Sequence, residues 1–385
     1  MTQTTEQQSA AKRPRLLVVF GTRPEALKCF PVAKAALAMP QFHTEICVTA
    51  QHREMVDQVI ALTGLPVTYD LNIMQPGQTL FDITARVLTG MAQVLDVAKP
   101  DVVMVQGDTT TAMTAALAAF YKRVPVAHLE AGLRSHNILS PWPEELNRKI
   151  VGDIAAYHFA PTPEARDNLV AEGKDPASIF VTGNTVIDTL LHFSRRMDED
   201  RELAAEFASR FSFLDPNKKL VLVTGHRREN FDGGIDRICV ALKALAGRGD
   251  VQIVYPVHPN PNVREIVHAA LGGVDNIELI EPQDYLPFVY LLKRAYLVLT
   301  DSGGVQEEAP SLGKPVLVMR ENTERPEGIA AGTARLVGTD TNAILENANR
   351  LLDDTVAYAQ MSERHNPYGD GQASARILEE LLRHV

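Results

Sequence analysis

Short apolar runs alternate with helix-length segments along the chain from residue 15 onward. The runs form two series of candidate strands: 15–20, 45–49, 101–106, 124–130, 157–160 and 179–182, then 220–224, 251–256, 277–280, 296–300, 315–319 and 335–337. Continuous apolar runs separated by helices are typical of parallel strands that are buried on both faces of a sheet. The pattern therefore predicts the α/β class, with two Rossmann-like domains that are each built on a doubly wound parallel sheet.

A charge-rich stretch separates the two series and ends in the turn-forming sequence DPN at 215–217. We place the domain junction near the start of this stretch, which predicts an N-terminal domain over 15–186 and a C-terminal, ligand-binding domain over 187–371. The last segment, 372–385, has a helical pattern and is a candidate to pack back on the first domain. Residues 1–14 lack the apolar stretch of a signal peptide and are expected to form a disordered tail.

The composition is that of an ordinary globular protein. The 385 residues are 45% hydrophobic and carry 38 Lys and Arg against 48 Asp and Glu, a formal charge of −10. Three cysteines without a CxxC spacing argue against a secreted disulfide framework, so we expect a cytoplasmic protein. No apolar run reaches the roughly 18 residues of a membrane span, and no membrane partner is expected. The acidic balance also excludes nucleic-acid binding by bulk charge, because neutralising phosphates needs a basic surface.

The sequence contains none of the common cofactor and metal motifs. No GxGxxG supports a nicotinamide cofactor, and the Gly313-Lys314 pair is followed by proline, unlike a nucleotide-hydrolysing P-loop. HExxH motifs, Cys/His clusters and EF-hand loops are also absent from the sequence. We therefore expect neither a cofactor nor a protein-bound metal. A small anionic ligand remains compatible with the negative charge if local cations and helix N-termini hold it.

Residues suited to binding an anion follow the first predicted strand. In GTRPEALK (21–28) a proline suits the first helical position, and Arg23 and Lys28 add positive charge near the exposed amides of the helix. Gly21 is expected to allow a tight turn before this helix. The alternative to an anion site is a solvated helix start with a cap interaction from Glu25.

Three carboxylates of the first half occupy similar positions after strands or at a helix start. Asp108 follows the third predicted strand in GDTTT (107–111), Glu130 follows the fourth in HLEAGLRS (128–135), and Glu144 opens a helix in SPWPEELNR (140–148). Clustered carboxylates raise one another's pKa, which suits general acid and base chemistry. The alternatives are a helix N-cap for Asp108 and an ion pair of Glu144 with Arg148.

In the second half, GHRREN (225–230) places His226 beside two arginines after a strand, as in an anion-binding or acid–base site. His258 holds the analogous place after the next strand, where loop packing is an alternative role. The strongest signal is TDSGGVQEEA (300–309), in which the backbone amides of 302–304 can approach a diphosphate and Glu308 can accept ribose hydroxyls. A plain glycine turn is the alternative at this point.

Nine motifs resemble the non-hydrolysing UDP-N-acetylglucosamine 2-epimerases of bacteria, and the resemblance runs from about residue 15 to the C-terminus. The motifs are GTRPEA (21–26), QHREMVDQV (51–59), GDTTT (107–111), HLEAGLRS (128–135), SPWPEELNR (140–148), GNTVID (183–188), GHRREN (225–230), DSGGVQEEAPSLGKPVLVMR (301–320) and ERPE (324–327). The resemblance implies a GT-B-like fold, in which the two Rossmann-like domains face a cleft, and a homodimer.

The resemblance also implies the reversible conversion of UDP-GlcNAc to UDP-ManNAc by inversion at C2, which supplies cell-surface polysaccharide synthesis. Because the C2 proton has no adjacent carbonyl, the expected route is elimination of UDP to 2-acetamidoglucal, followed by re-addition. By motif, the catalytic residues are Asp108, Glu130, Glu144 and His226. His226 resembles the residue that aids UDP departure, and which carboxylate removes the C2 proton is left open. The residues implied to contact UDP or the sugar are Arg23, Lys28, Gln283, Phe288, Ser302, Gly303, Gly304, Glu308 and Arg325.

The chain departs from the family pattern at a few positions. Some members of the family bind a second UDP-GlcNAc as an activator through a stretch with an Arg-Gln pair, and here that stretch reads PGQ (76–78). Gln51, Gln78 and His258 are the candidates for such an allosteric site. Gln106 stands where a histidine is common in the family.

Other functions share much of this pattern. A GT-B glycosyltransferase has the same fold and diphosphate site but needs an acceptor, and a hydrolysing epimerase releases free ManNAc and UDP. A nucleotide-sugar sensor binds tightly without turnover, and a related 2-acetamido uronic sugar would need the same UDP site. Fold analogy alone does not separate these functions.

Overall fold

The structure is a computed structural model that describes residues 13–385. The tail predicted over 1–14 lies outside the described residues except for its last two positions. The described chain divides into two compact units: one runs to Thr185 and includes Gln372–Val385, and the other is Val186–Gly371. None of the helices in residues 13–385 combines the length and the apolar character needed to cross a membrane.

The first unit is an α/β layer structure around one parallel sheet. Its strands are β1 Arg15–Phe20, β2 His43–Val48, β3 Tyr69–Asp70, β4 Val102–Gln106, β5 Val126–Leu129, β6 Tyr157–Ala160 and β7 Ile179–Val181. Its helices include α1 Arg23–Ala38, α2 Arg53–Thr63, α3 Leu80–Ala98, α4 Thr110–Tyr121, α5 Glu144–Ile154 and α6 Pro163–Ala171, with a 3-10 turn at Pro176–Ser178. The strand order is β3-β2-β1-β4-β5-β6-β7, so the direction of winding reverses between β1 and β4. Ligands of such sheets bind at the carboxyl ends of the strands beside this reversal.

The second unit repeats the architecture with six parallel strands. They are β8 Lys219–Thr224, β9 Val251–Pro256, β10 Ile277–Ile280, β11 Leu297–Thr300, β12 Val316–Val318 and β13 Ala334–Leu336, in the order β10-β9-β8-β11-β12-β13. The helices are α7 Thr185–Glu199, α8 Arg201–Arg210, α9 Gly234–Ala246, α10 Pro261–Leu271, α11 Tyr285–Arg294, α12 Gly303–Glu308, α13 Pro326–Ala331, α14 Thr341–Asp353 and α15 Thr355–Ser362, with 3-10 turns at Arg228–Asn230 and Ala309–Leu312. Here the winding reverses between β8 and β11.

All twelve predicted strands are present, with bounds within two residues of the expected ones. The central strands are apolar because helices cover both faces of each sheet: β4 is buried at all its positions, and Val103 and Val105 enter the core of the first unit. Val221 and Val223 of β8 enter a separate core. Among the strands within residues 13–385, only β3 was not predicted, because two residues are too short to form an apolar run.

The last helix, α16 Ala373–His384, belongs to the first unit and packs against α1. Two hydrogen bonds attach it to the edge of that sheet. Tyr157 Oη donates to the carbonyl of His384 at 3.0 Å, and Arg376 Nη1 donates to the carbonyl of Thr182 at 3.0 Å. The first unit is therefore completed by residues from both ends of the chain.

Gly21 is required for a different reason from the expected one. Its backbone is not left-handed, but a Cβ at this position would lie 2.0 Å from Thr49 Oγ1 and 2.5 Å from Thr111 Oγ1. The close approach of the turn to these side chains, and not the conformation of the turn, excludes a larger residue.

Glu25 joins the first turn of α1 to the loop that follows β4. Its side chain is fully buried, and Oε2 accepts hydrogen bonds from the backbone amides of Gly21 at 3.1 Å and Thr22 at 2.8 Å. Oε1 accepts the hydroxyl of Thr109 at 2.7 Å. The cap interaction proposed as an alternative role for Glu25 is thus present, and it also connects the carboxyl ends of β1 and β4.

We expect Glu25→Gln to remove part of the pH dependence of stability. Burial raises the pKa of Glu25 from 4.5 to about 7, against the opposing effect of its hydrogen bonds. Between these two values the folded protein keeps a proton that the unfolded chain has released. The free energy of unfolding therefore falls as pH rises through this window, by up to about 3 kcal/mol. Glutamine does not titrate, and Thr109 can accept a hydrogen bond from its amide.

The measurement is denaturant unfolding at pH values below 4.5 and above 7. Relative to the wild-type protein, Glu25→Gln should become more stable as the pH increases. Glu54→Gln, at an exposed position of α2, is the matched control for loss of one carboxylate. Equal pH slopes for wild type and Glu25→Gln would contradict the role given to burial.

Candidate active site

Glu130 is the best-anchored carboxylate at the strand ends of the first unit. Lys28 Nζ lies 2.5 Å from Glu130 Oε1 and 2.7 Å from Oε2, and Asn184 Nδ2 donates to Oε1 at 3.0 Å. Gln106 Nε2 donates to Oε2 from the end of β4. The backbone of Glu130 is left-handed, with a φ of 60°, a conformation that costs a non-glycine residue about 1 kcal/mol. Both oxygens of Glu130 are thus held in place by donors from three other segments.

Asp108 is held by helix α5. Arg148 Nη2 lies 2.7 Å from Asp108 Oδ2, and Asn147 Nδ2 donates to the carbonyl of Asp108 at 2.9 Å. The N-cap of α4 is Thr109, whose hydroxyl accepts the amide of Ala112 at 3.0 Å. The Asp108 side chain therefore does not have the capping role considered as an alternative.

Glu144 opens α5 and is partly buried. The expected ion pair with Arg148 is not formed, because Arg148 pairs instead with Asp108 and, through Nη1, with Glu145 Oε2 at 3.1 Å. Glu144 Oε2 is buried and has no hydrogen-bond partner among the described residues. A buried carboxylate oxygen without a donor is costly, and such atoms are common at functional sites.

Glu145, which the sequence did not single out, supports the loop before α5. It is fully buried, and its two oxygens accept the backbone amides of Ser135 at 3.0 Å and His136 at 3.1 Å. Of the two adjacent glutamates, Glu145 therefore positions the loop, while Glu144 stays available for chemistry.

His128 belongs to β5, two residues before Glu130, and has a structural role. It is buried, and its Nε2 lies 2.7 Å from the carbonyl of Gly107. Burial lowers its pKa to about 3, so the ring is neutral in the physiological range. His128 is therefore unsuited to acid–base exchange at neutral pH.

In the second unit, His226 lies between two other side chains at the strand ends. Its Nδ1 is 3.4 Å from Oδ1 of the buried Asp301, and its ring stacks on that of His258 with centroids 5.2 Å apart. Burial lowers the pKa of His226, and the Asp301 carboxylate opposes this shift. Asp301 is a candidate functional residue that sequence reasoning missed, although it lies in the TDSGG motif after β11.

Residues 302–304 form the start of α12, and their geometry disfavours a plain glycine turn. Neither Gly303 nor Gly304 has a left-handed backbone. A Cβ at Gly304 would meet nothing within 4 Å, and one at Gly303 would approach Arg227 Nη2 and Glu324 Oε2 only to 3.8 Å. Since neither conformation nor packing requires glycine, the small residues keep the backbone of Ser302–Gly304 open to a bound group.

Three arginines near the strand ends of the second unit are each paired with a carboxylate. Arg325 Nε donates to Oε1 of the buried Glu307, and Arg320 Nε lies 2.5 Å from Glu229 Oε1. Arg227 Nη2 lies 3.7 Å from Glu324 Oε2. An anion that binds to Arg325 must therefore compete with a carboxylate already present.

Glu308, Gln283 and Phe288 lie on or beside α11 and α12. Tyr285 Oη, at the start of α11, donates to Glu308 Oε1 at 2.7 Å. Gln283 accepts Arg210 Nη2 at 2.7 Å and donates to the carbonyl of Glu281 at 2.5 Å. Phe288 is partly buried within α11. Glu308 therefore contacts the first residue of α11, the helix that contains Phe288 and begins two residues after Gln283.

Arg23 and the allosteric candidates are less closely connected. Arg23 is the first residue of α1, partly exposed, and its side chain makes no ion pair or hydrogen bond with the described residues. Gln51 Oε1 accepts the hydroxyl of Thr111 at 2.9 Å, and Gln78 Nε2 donates to the carbonyl of Gln51 at 3.2 Å. Gln51 and Gln78 are therefore neighbours, whereas His258 lies in the other unit.

Among residues 13–385, no group of three or more His, Cys, Asp or Glu side chains is placed to hold a metal ion. Besides Asp301, sequence reasoning missed Asn184, the pairing of Arg148 with Asp108, and the contact of Gln106 with Glu130. Asn184 belongs to the GNTVID motif and follows β7, so its place at a strand end was the available signal.

Comparison with known proteins identifies the family of this chain. A family described as UDP-N-acetylglucosamine 2-epimerase matches residues 34–382. A UDP-N-acetylglucosamine 2-epimerase of Yersinia pestis is 57% identical over 371 residues, covering 96% of this chain and 99% of the relative. The corresponding protein of Escherichia coli K12 is also 57% identical, over 95% of this chain and 98% of its own length.

Solved structures agree over nearly the whole chain as well. The crystal structure of UDP-GlcNAc 2-epimerase from Neisseria meningitidis bound to UDP-GlcNAc is 47% identical, with a TM-score of 0.89 over 96% of this chain and all of that one. The Methanocaldococcus jannaschii enzyme in complex with UDP-GlcNAc and UDP is 35% identical, with a TM-score of 0.79 over 96% of this chain and 99% of that one. The predicted fold class, α/β with two Rossmann-like parallel-sheet domains, is thereby confirmed. This protein therefore belongs to the UDP-N-acetylglucosamine 2-epimerase family.

Proposed function

We propose that the protein is a non-hydrolysing epimerase that interconverts UDP-GlcNAc and UDP-ManNAc by inversion at C2. The observation that carries the proposal is the set of carboxylates at the strand ends and at the start of α5 in the first unit, Asp108, Glu130 and Glu144, of which the first two are anchored by cations. The names of the relatives and the UDP-GlcNAc bound in related structures support the choice of substrate.

The reaction proceeds by elimination and re-addition. A carboxylate takes the C2 proton, the C–H electron pair forms a C1=C2 double bond, and the C1–O bond breaks as UDP leaves with its bonding pair. A proton then adds to the opposite face of C2, and the same UDP oxygen re-forms the bond to C1. No oxidant is consumed, and the atoms balance. Removal and return of the proton on opposite faces require two acid–base groups or one that can reach both faces.

Asp108 and Glu144 are the groups best suited to move protons. Glu144 has a buried oxygen without a donor, and Asp108 is paired with Arg148 through only one of its oxygens. Both oxygens of Glu130 are already occupied by Lys28, Gln106 and Asn184. In this scheme Glu130 positions Lys28 and contributes negative charge near the sugar, on which cationic character develops as UDP departs.

The second unit supplies the site for UDP. The backbone of Ser302–Gly304 approaches the diphosphate without Cβ atoms at 303 and 304, and Arg325 adds positive charge. By motif, Arg23 at the start of α1 is assigned as a further residue that contacts UDP or the sugar. His226 donates a hydrogen bond to the departing diphosphate and so stabilises the leaving group.

The remaining contacts to UDP or the sugar are assigned by motif. Glu308 accepts ribose hydroxyls beside Tyr285, and Gln283, Phe288 and Lys28 complete the set. Gln51, Gln78 and His258 are kept as candidates for an activator site. The proposal also includes a homodimer in the cytoplasm and a role in supplying cell-surface polysaccharide synthesis.

Incubation with UDP-GlcNAc in deuterated water should yield UDP-ManNAc that carries deuterium at C2. The recovered UDP-GlcNAc should also carry deuterium, because re-addition takes its proton from a group that exchanges with solvent. Proton NMR of the C2 position and the mass of both sugars measure the exchange.

Each alternative has its own outcome in this experiment. Turnover without C2 exchange contradicts the elimination route, and net release of ManNAc and UDP identifies a hydrolysing enzyme. Product that forms only with an added acceptor identifies a glycosyltransferase. Tight binding without any turnover identifies a sensor.

Asp108→Asn and Glu144→Gln should each lower kcat by about 10²- to 10⁴-fold, because each removes one acid–base group. UDP affinity should change little, because neither carboxylate is among the residues proposed to contact the diphosphate. Steady-state kinetics and calorimetric titration with UDP measure the two quantities. Asp96→Asn, an exposed carboxylate near the end of α3 that pairs with Lys122 at 2.5 Å, is the control. Wild-type turnover in both carboxylate variants would eliminate the proposed roles.

A further inference from the structure

Asp301 and His226 come together because β8 and β11 are adjacent parallel strands. Their register pairs Thr224 with Thr300, the last residue of each strand. The chain continues into Gly225 and His226 on one side and into Asp301 on the other. Asp301 is only 1% exposed, so its carboxylate is an ionisable group enclosed at the end of a sheet. Such a group needs donors for both of its oxygens.

One oxygen of Asp301 is fully occupied by the loop after β8. Oδ2 accepts the backbone amides of His226 and Arg227, both at 2.8 Å, and Asn230 Nδ2 at 3.2 Å. These three bonds fix the orientation of the carboxylate relative to His226. The other oxygen, Oδ1, is buried and has no hydrogen-bond partner among residues 13–385. His226 Nδ1 lies 3.4 Å from it, at ion-pair distance.

We propose that Asp301 is the positioning residue for His226: Oδ1 accepts the Nδ1 proton, which leaves Nε2 as the nitrogen that acts on the departing diphosphate. This inference rests on the function proposed above and adds to it the partner of His226. A formed bond between a charged donor and a carboxylate is about 2.7 to 2.9 Å long. The 3.4 Å separation therefore shortens when the imidazole becomes charged.

The groups around His226 oppose its protonation, with one exception. Burial lowers its pKa, and His258, Arg227 and Arg320 act in the same direction. Asp301 is the carboxylate that raises it, and Tyr255 lies against the same loop, with its hydroxyl 3.3 Å from the carbonyl of Gly225. Without Asp301, the charged form of His226 would lose the carboxylate that stabilises it. Less imidazolium would then be present to stabilise the leaving diphosphate.

The substitution Asp301→Asn tests the pairing because the amide reverses one hydrogen bond and preserves the others. The asparagine oxygen can still accept the backbone amides of His226 and Arg227. Its NH₂ group would face Nδ1 as a donor, so the neutral ring should carry its proton on Nε2 instead of Nδ1. The variant should show this exchange of tautomers and a lower pKa of His226, because the carboxylate that raises it is gone. kcat should fall by about 10²- to 10⁴-fold, and the alkaline limb of the kcat–pH profile should move to lower pH.

The readout is ¹⁵N NMR of the full-length protein labelled at its histidines, with His226→Gln used to assign the signals of His226. Tyr255→Phe is the matched control, because it alters the same loop environment and leaves both members of the pair. The control should keep the wild-type tautomer of His226. A purely packing role for Asp301 would change stability without exchanging the tautomer.

The spectrum of the wild-type protein provides a test that does not need the variant to fold. A neutral His226 with its proton on Nε2 would overturn the pairing, as would an Asp301→Asn variant with the wild-type tautomer. Absence of epimerase activity in the wild-type protein would instead overturn the proposed function. The NMR result would then still decide the pairing, so the two failures are distinguishable.

Discussion

Parallel pairing of the central strands is the constraint on which both sets of site residues depend. β4 and β5 run side by side, with Gln106 opposite Leu129. The residues that follow the two strands therefore lie at the same edge of the sheet. That edge holds Glu130 and Asp108 in the first unit. The register of β8 with β11 does the same for His226 and Asp301. A shift of either register would change which residues lie opposite one another at these strand ends.

Charge neutralisation within each unit explains how an acidic protein can present cations to an anion. Lys28 is paired with Glu130 at 2.5 Å, Arg148 with Asp108 at 2.7 Å, and Arg325 with the buried Glu307. Partly buried pairs of this kind are screened by salt less than surface pairs. An anion that binds to such a cation would replace or join a carboxylate. The positive charge therefore has a negative partner both before and after binding, which avoids the cost of an unpaired charge in a poorly solvated site. The net charge of −10 is thus compatible with local anion binding.

The packed structure explains several motif residues whose roles the sequence alone left open or suggested wrongly. Gly21 is explained by a threonine hydroxyl that would lie 2.0 Å from any Cβ at this position, which only the packed structure reveals. Gly304 has neither a left-handed backbone nor a close neighbour, so the open space around it is the informative feature. The spacing of Glu144 and Arg148 suggested an ion pair on one helix face. Arg148 instead pairs with Asp108 and Glu145, because tertiary partners are available to it.

The sequence by itself determined the α/β class, twelve of the strands and the motifs that place polar residues after them. These features depend on local apolar patterns and on residues that are close together in the chain. Only the tertiary structure decided the partners: Lys28 binds Glu130 from 102 positions away, and Asp301 accepts the amide of His226 from 75 positions away. Contacts over such separations follow from strand register and side-chain packing. The sequence pattern specifies where the strands begin and end, but it does not specify which of their ends meet.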